Sequence, residues 1–189
     1  MSWTNLEDKV VIITGGAAGI GLEVAKGFAE VGAKVMIADF AEDTGKEAVE
    51  EAGAQGSGEA TFVKCDVTKK SEVESVVEHA VEKWGSVDVL VNNAGINIPR
   101  LLVDPTGKEE LTEEVWDKVF AVNVKGQFLF AQAAARQMLA SGTGGVLINM
   151  SSESGMEGSE GQSVYAATKA ANHNSVSYTH LTLPTSNSV

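Results

Sequence analysis

Apolar positions along the chain come in short blocks that alternate with longer segments of helical period. "KVVIITGG" is a β-branched run halted by glycines. "GIGLEVAKGFAEVG" follows it, with Ile20, Val24, Phe28 and Val31 on one helical face and Gly32 as the stop. The pattern then repeats. "AKVMIADF" reads as a strand, residues from about Asp43 to Ala52 as a helix, and "ATFVKCDV" as a strand. Ser71 and Glu74 are spaced as a capping box for a helix that runs to Trp84. "VDVLVNNAG" predicts a fourth strand, residues from about Thr112 to Leu139 one long helix, and "GGVLINMSS" a fifth strand. A small-residue helix carrying Tyr165 comes last.

Continuous apolar strands alternating with amphipathic helices predict an α/β fold, a Rossmann-like doubly wound parallel sheet with helices on both faces. The five strands predict the order 3-2-1-4-5. The complete dinucleotide-binding sheet has a sixth, so the domain, placed at residues 1–174, is expected to be incomplete on its C-terminal side.

Composition narrows the picture. The chain has 189 residues, 43% of them hydrophobic, with 20 Gly and 3 Pro, which fits one globular domain. A net charge of -12 argues against a nucleic-acid or anionic-membrane surface. No apolar run approaches a bilayer span and the N-terminus has no apolar leader, so a cytoplasmic protein is expected. Cys65 is the single cysteine, read as a small strand-end residue without a redox role. His79, His173 and His180 lack carboxylate or thiol partners at ligand spacing, so no metal site is expected.

The candidate chemistry starts in "TGGAAGIG", where Thr14, Gly15, Gly19, Ile20 and Gly21 stand between strand and helix. Glycines there let the backbone approach a pyrophosphate, which then sits at a helix N-terminus. Asp39, eighteen residues past Gly21, ends the next strand. Its carboxylate would accept both adenosine-ribose hydroxyls and repel a 2′-phosphate, so NAD is the cofactor expected; the plainer reading is a helix cap. Asp66, followed by Val67, offers the same choice between the adenine amino group and a cap. Tyr165 and Lys169 lie at i and i+4 of one helix and share a face. An ammonium beside a phenol stabilises the phenolate, so the pair is a candidate acid–base couple.

With "NNAG" at Asn92 to Gly95, "NVKG" from Asn123 and "MSS" closing the fifth strand, the chain from about Asp8 to Asn174 resembles the short-chain dehydrogenase/reductase family. The resemblance implies that Ser152, thirteen residues before Tyr165, orients the substrate oxygen and that Tyr165 exchanges the proton. It implies that Lys169 holds the nicotinamide ribose and tunes Tyr165, and that Asn123 anchors a water relaying the proton outward. Asn93 and Gly95 would line the cofactor groove. The helices carrying Asn123 and Tyr165 would pack against a second subunit, making a homo-oligomer.

Two segments, "NNAGINIPRLLVDP" and "SSESGMEGSEGQSVYAATKAA", resemble the members of that family that act on sugar-alcohol phosphates. This implies hydride exchange between NAD and a polyol phosphate or ketose phosphate, sorbitol 6-phosphate to fructose 6-phosphate. Arg100 would hold the phosphate, or is a surface arginine. Glu153, Glu157 and Glu160 would accept from substrate hydroxyls, or are loop acids. The alternatives are a 3-oxoacyl thioester reductase and a dinucleotide-binding redox sensor without turnover. Residues 175–189, "SVSYTHLTLPTSNSV", have no apolar period and resemble a translated sequencing adapter, so they are expected to be non-native; the alternative is a genuine divergent tail.

Overall fold

A computed structural model of the chain describes residues 5–142 and 144–177. The elements are β1 Val10–Thr14, α1 Gly19–Glu30, β2 Lys34–Asp39, α2 Glu42–Gly53, β3 Glu59–Lys64, α3 Lys70–Trp84 and β4 Val89–Asn92. These are followed by α4 Glu113–Phe120, α5 Gln127–Ser141, β5 Val146–Asn149 and α6 Ser163–Ser177. All pairings are parallel, and the strand order is β3-β2-β1-β4-β5, as the alternation predicts. Residues 178–189, where most of the expected adapter-like tail and His180 fall, lie outside the described residues; 175–177 continue α6.

Successive strand side chains point to opposite faces, so β1 feeds two cores. Val10 and Ile12 join Met36, Leu90, Val73, Val76, Phe130 and Met138 beneath α3 and α5. Val11 and Ile13 join Val35, Ile37, Val89 and Val91 beneath α1 and α2. Burying each of these large side chains contributes roughly 1.5–3 kcal/mol, which explains why the central strands are apolar without alternation.

Three local expectations are corrected. On α1, Val24 and Phe28 pack against the core as expected, but the most deeply buried positions are Gly21, Ala25 and Ala29, and Ile20 is 65% exposed. Small side chains let α1 lie close on the sheet and hold its N-terminus against β1. The capping box at Ser71 does not form, because α3 begins at Lys70, two residues before the start that a Ser71 cap requires, and its cap residue Lys69 makes no side-chain cap bond. Glu72 is used instead: its Oε2 accepts the Asp66 N–H at 2.7 Å. Finally, the long helix expected over 112–139 is interrupted. Thr112 caps α4 by accepting from the Val115 N–H, and a π-helical turn at Ala121–Gly126 then separates α4 from α5. Such a turn carries one extra residue, which re-aims the side chains around it. Here it carries Asn123, fully buried. Gly126 permits it, since a Cβ there would meet Val67 Cγ2 at 2.8 Å.

Candidate active site

The site sits where the strand order reverses, with β2 on one side of β1 and β4 on the other. A polypeptide leaving β1 and β4 in opposite directions opens a crevice at their carboxyl ends. Thr14, at the end of β1, ties the two sides together. Its hydroxyl oxygen accepts from the N–H groups of Asn93 (3.1 Å) and Ala94 (3.0 Å). The Asn93 amide donates back to the carbonyls of Thr14 (3.1 Å) and Gly15 (3.0 Å). The glycine loop needs its glycines for contact as well as conformation. A Cβ on Gly15 would stand 2.8 Å from Ala94 Cα, and one on Gly21 would collide with the Gly15 carbonyl and come within 2.6 Å of Asn93 Nδ2.

On the β2 side, Asp39 closes the loop. One carboxylate oxygen accepts the Ala17 N–H at 3.1 Å and the other the Ala41 N–H at 3.0 Å. It is therefore a loop clasp at the crevice, and Ala41 is the cap residue of α2. Asp66 does not cap α3, whose cap residue is Lys69; it lines the cavity and closes the turn before the helix, accepting from the Thr68 N–H (3.0 Å) and hydroxyl (2.7 Å). Burial pulls this carboxyl up, but the Thr68 bonds and Lys69 outweigh burial and hold it below its ordinary value. Cys65 beside it is buried, and desolvation together with Glu72, Asp66 and Asp39 pushes its thiol up to about 12. A thiol so placed stays protonated and unreactive.

At the other end, α6 presents Tyr165 and Lys169. The Lys169 ammonium lies 5.5 Å from the centre of the Tyr165 ring and donates to the Met150 carbonyl at 2.9 Å. Burial lowers its pKa from the ordinary 10.5. Its neighbours are close: a Cβ on Gly95 would lie 3.4 Å from Asn123 Oδ1 and 3.7 Å from Lys169 Nζ. Asn123 is held on all sides. Oδ1 accepts the Ile96 N–H at 2.8 Å, and Nδ2 donates to the Ile96 carbonyl at 2.9 Å and the Thr168 hydroxyl at 3.1 Å. Ser152 caps the short 3₁₀ turn Glu153–Gly155, accepting the Ser154 N–H at 3.2 Å. That turn packs on α6 so tightly that a Cβ on Gly155 would meet the Lys169 carbonyl carbon at 2.8 Å.

One cavity of about 920 Å³ joins the two ends. Of the residues singled out in the sequence, Gly15, Ile20, Asp39, Asp66, Val67, Asn93, Gly95, Tyr165 and Lys169 line it. Thr14, Gly19, Gly21, Asn123 and Ser152 are not among its lining residues. Arg100 and Glu153 do not line it. The Arg100 guanidinium instead donates to the Pro99 carbonyl (2.8 Å) and pairs with Glu109 (3.0 Å). Sequence reasoning missed Phe40, Lys118 and Ser151, which also line the cavity, and Met150, whose carbonyl receives Lys169. A backbone acceptor leaves no trace in residue type. Thr168 had one available signal, its place one residue before Lys169. Among the described residues, no three His, Cys, Asp or Glu side chains are grouped to hold a metal ion.

A cavity of this volume, with Gly15 and Gly95 in its lining and Asp39, Tyr165 and Lys169 around it, has room for a dinucleotide. Fold and crevice together define a dinucleotide-binding α/β domain of the doubly wound type. The profile described as short chain dehydrogenase matches residues 9–187, and the chain belongs to that family. It is 44% identical over 174 residues to a sorbitol-6-phosphate 2-dehydrogenase of Klebsiella pneumoniae, covering 90% of this chain and 61% of that protein. It is 48% identical over 168 residues to an uncharacterized oxidoreductase of Thermotoga maritima, covering 88% and 62%. Among solved structures, a short chain dehydrogenase from Mycobacterium smegmatis superposes with a TM-score of 0.83 at 36% identity, over 89% of this chain and 68% of that one. The chain thus spans somewhat less than two thirds of the length of these two curated relatives.

Proposed function

We propose that this chain belongs to an NAD-dependent dehydrogenase that oxidises a secondary alcohol of a sugar-alcohol phosphate, interconverting sorbitol 6-phosphate and fructose 6-phosphate. The observation that carries the reading is one cavity with Asp39 at one end and Tyr165 with Lys169 at the other. Asp39 would accept the adenosine-ribose hydroxyls, and Ala17 and Ala18 in the loop offer no cation for a 2′-phosphate. Gly15, Gly19 and Gly21 would admit the pyrophosphate, with Ile20, Asp66, Val67, Asn93 and Gly95 forming the walls. NAD, when bound, supplies the hydride acceptor.

This chain's residues supply the rest. Tyr165 takes the proton of the substrate hydroxyl while Ser152 donates to the same oxygen, so charge developing there is met by a fixed dipole. Lys169, fixed by the Met150 carbonyl, sets its positive charge 5.5 Å from the centre of the Tyr165 ring. Asn123 braces the Gly95–Ile96 segment against α6. A second copy of the chain would cover α4 and α5, where Trp116, Phe128 and Leu139 are exposed. Residues 1–174 would form the domain proper, with 175–189 not native to it.

The pairing of Arg100 Nη1 with Glu109 favours a second substrate reading, an unphosphorylated polyol, because a carboxylate competes with a phosphate for that guanidinium. The test is NADH formation from sorbitol 6-phosphate and from sorbitol, and reduction of acetoacetyl thioester, with both nicotinamide cofactors. Higher kcat/KM for sorbitol 6-phosphate with NAD is expected. Preference for NADPH and the thioester would make it a fatty-acid reductase, and cofactor binding without any turnover would make it a redox sensor.

A further inference from the structure

Asn172 stands on α6, three residues past Lys169, and is only 2% exposed. Its side-chain amide donates to the backbone carbonyl of Asn123 at 3.0 Å. One turn earlier on the same helix, the Thr168 hydroxyl accepts from Asn123 Nδ2 at 3.1 Å and donates to the Tyr165 carbonyl at 2.7 Å. Two residues of α6 therefore grip one residue of the π-helical turn at opposite ends, Thr168 at its side chain and Asn172 at its main chain.

We propose that Asn172 is a positioning residue for the hydride-transfer site, acting through Asn123. The proposal rests on the dehydrogenase reading of Tyr165 and Lys169. Asn123 is the hub between the segment at Gly95–Ile96 and α6, so whatever fixes its backbone fixes the spacing between the cofactor wall and the two reacting side chains. The chemistry requires a neutral donor. An aspartate of the same shape presents only acceptors to the carbonyl, and a leucine of similar size presents nothing, leaving a buried carbonyl short of a partner. An amide N–H also does not ionise, so this contact holds geometry and passes no proton. With its side chain on Ile96 and Thr168 and its carbonyl on Asn172, Asn123 is fixed at both ends.

The test compares Asn172→Asp and Asn172→Leu in the full chain. In Asn172→Asp, kcat should fall about tenfold to a hundredfold at neutral pH with the NAD KM nearly unchanged, the scale expected when reacting groups shift by about an ångström. Part of that loss should return as pH falls, because a protonated carboxyl regains a donor and its burial raises the pH at which this happens. Asn172→Leu should lose activity without recovery. Turnover and pH profiles matching wild type in both variants would overturn the proposal, as would an Asn172→Asp loss that is constant with pH. If the wild-type chain oxidises no alcohol, the dehydrogenase reading fails by itself. Amide hydrogen exchange over residues 121–127 then reads Asn172 directly. Asn172→Asp should open that turn relative to wild type at neutral pH and close it again in acid; exchange equal to wild type at every pH would overturn the bracing role.

Discussion

In the proposed reaction Tyr165 and Lys169 divide the work, and each has a separable signature. Tyr165→Phe keeps the ring against Lys169 and removes only the hydroxyl. Its kcat should fall by about two to four orders of magnitude with NADH affinity, read by fluorescence titration, within a few-fold of wild type. Near-normal turnover would remove Tyr165 from the chemistry. Lys169 leaves a mark on stability. Its pKa lies below the unfolded value of 10.5, so between the folded pKa and 10.5 the unfolded chain binds more protons than the folded one. Stability contributed by this residue therefore rises with pH across that window. Cys65, shifted upward from 9.0, works in the opposite sense at alkaline pH, but it cancels in a comparison with Lys169→Met. Wild type should gain stability on that variant as pH climbs toward 10.5, measured by urea denaturation. A flat difference would mean that burial does not penalise the ammonium.

Among the elements, the interrupted helix after Thr112 couples the cofactor wall to the hub residue. Gly126 ends the π-helical turn against Val67, so Gly126→Ala should cost about 1–3 kcal/mol by overpacking and weaken NAD binding as Val67 is pushed into the crevice. Thermal melting and NADH titration of the variant check both parts, and an unperturbed affinity would separate the turn from the cofactor. The strands and helices themselves were legible because each has its own apolar period, and order followed from the rules of parallel crossovers. The π-helical turn was not, since Ala121–Gly126 keeps the helical pattern of its flanks and its cause is a contact with a residue far away in the chain. On α1 the apolar period marks Val24 and Phe28, which pack on the core, but close approach to the sheet puts Ala25 and Ala29 deepest and leaves Ile20 exposed. Within the site, side chains with distinctive chemistry, Asp39, Asn93, Tyr165 and Lys169, were legible. The Met150 carbonyl was not, and Arg100 looked available because nothing in its own neighbourhood marked Glu109 as its partner.

At the scale of the molecule, the sheet has two unequal edges. β3 is flanked by charged side chains at Glu59 and Lys64, whereas β5 exposes Val146 at 54% and Ile148 at 40% and, among the described residues, is paired on one side alone. Unpaired backbone beside apolar side chains pairs with other chains, opposed here by a net charge of -12. The 189-residue chain should therefore self-associate, more so as salt screens the repulsion. Ile148→Lys should reduce the association in size-exclusion chromatography with light scattering. An identical size distribution for the variant at low and high salt would place the contact elsewhere.

The hydroxyl of Thr14 joins residues 79 and 80 positions away, while β1 meets β2 through the nearby pairing of Val10 with Lys34. The seam on which the crevice depends is thus among the long closures of the chain, and distant parallel pairings are slow because ordering precedes reward. A ligand lodged in that seam recognises a feature assembled late. NAD should leave the refolding rate almost untouched and slow unfolding instead, acting as a latch on the finished molecule. Stopped-flow refolding and unfolding with and without NAD would show it, and a faster refolding limb with NAD would mean that β1 and β4 meet before the rate-limiting step.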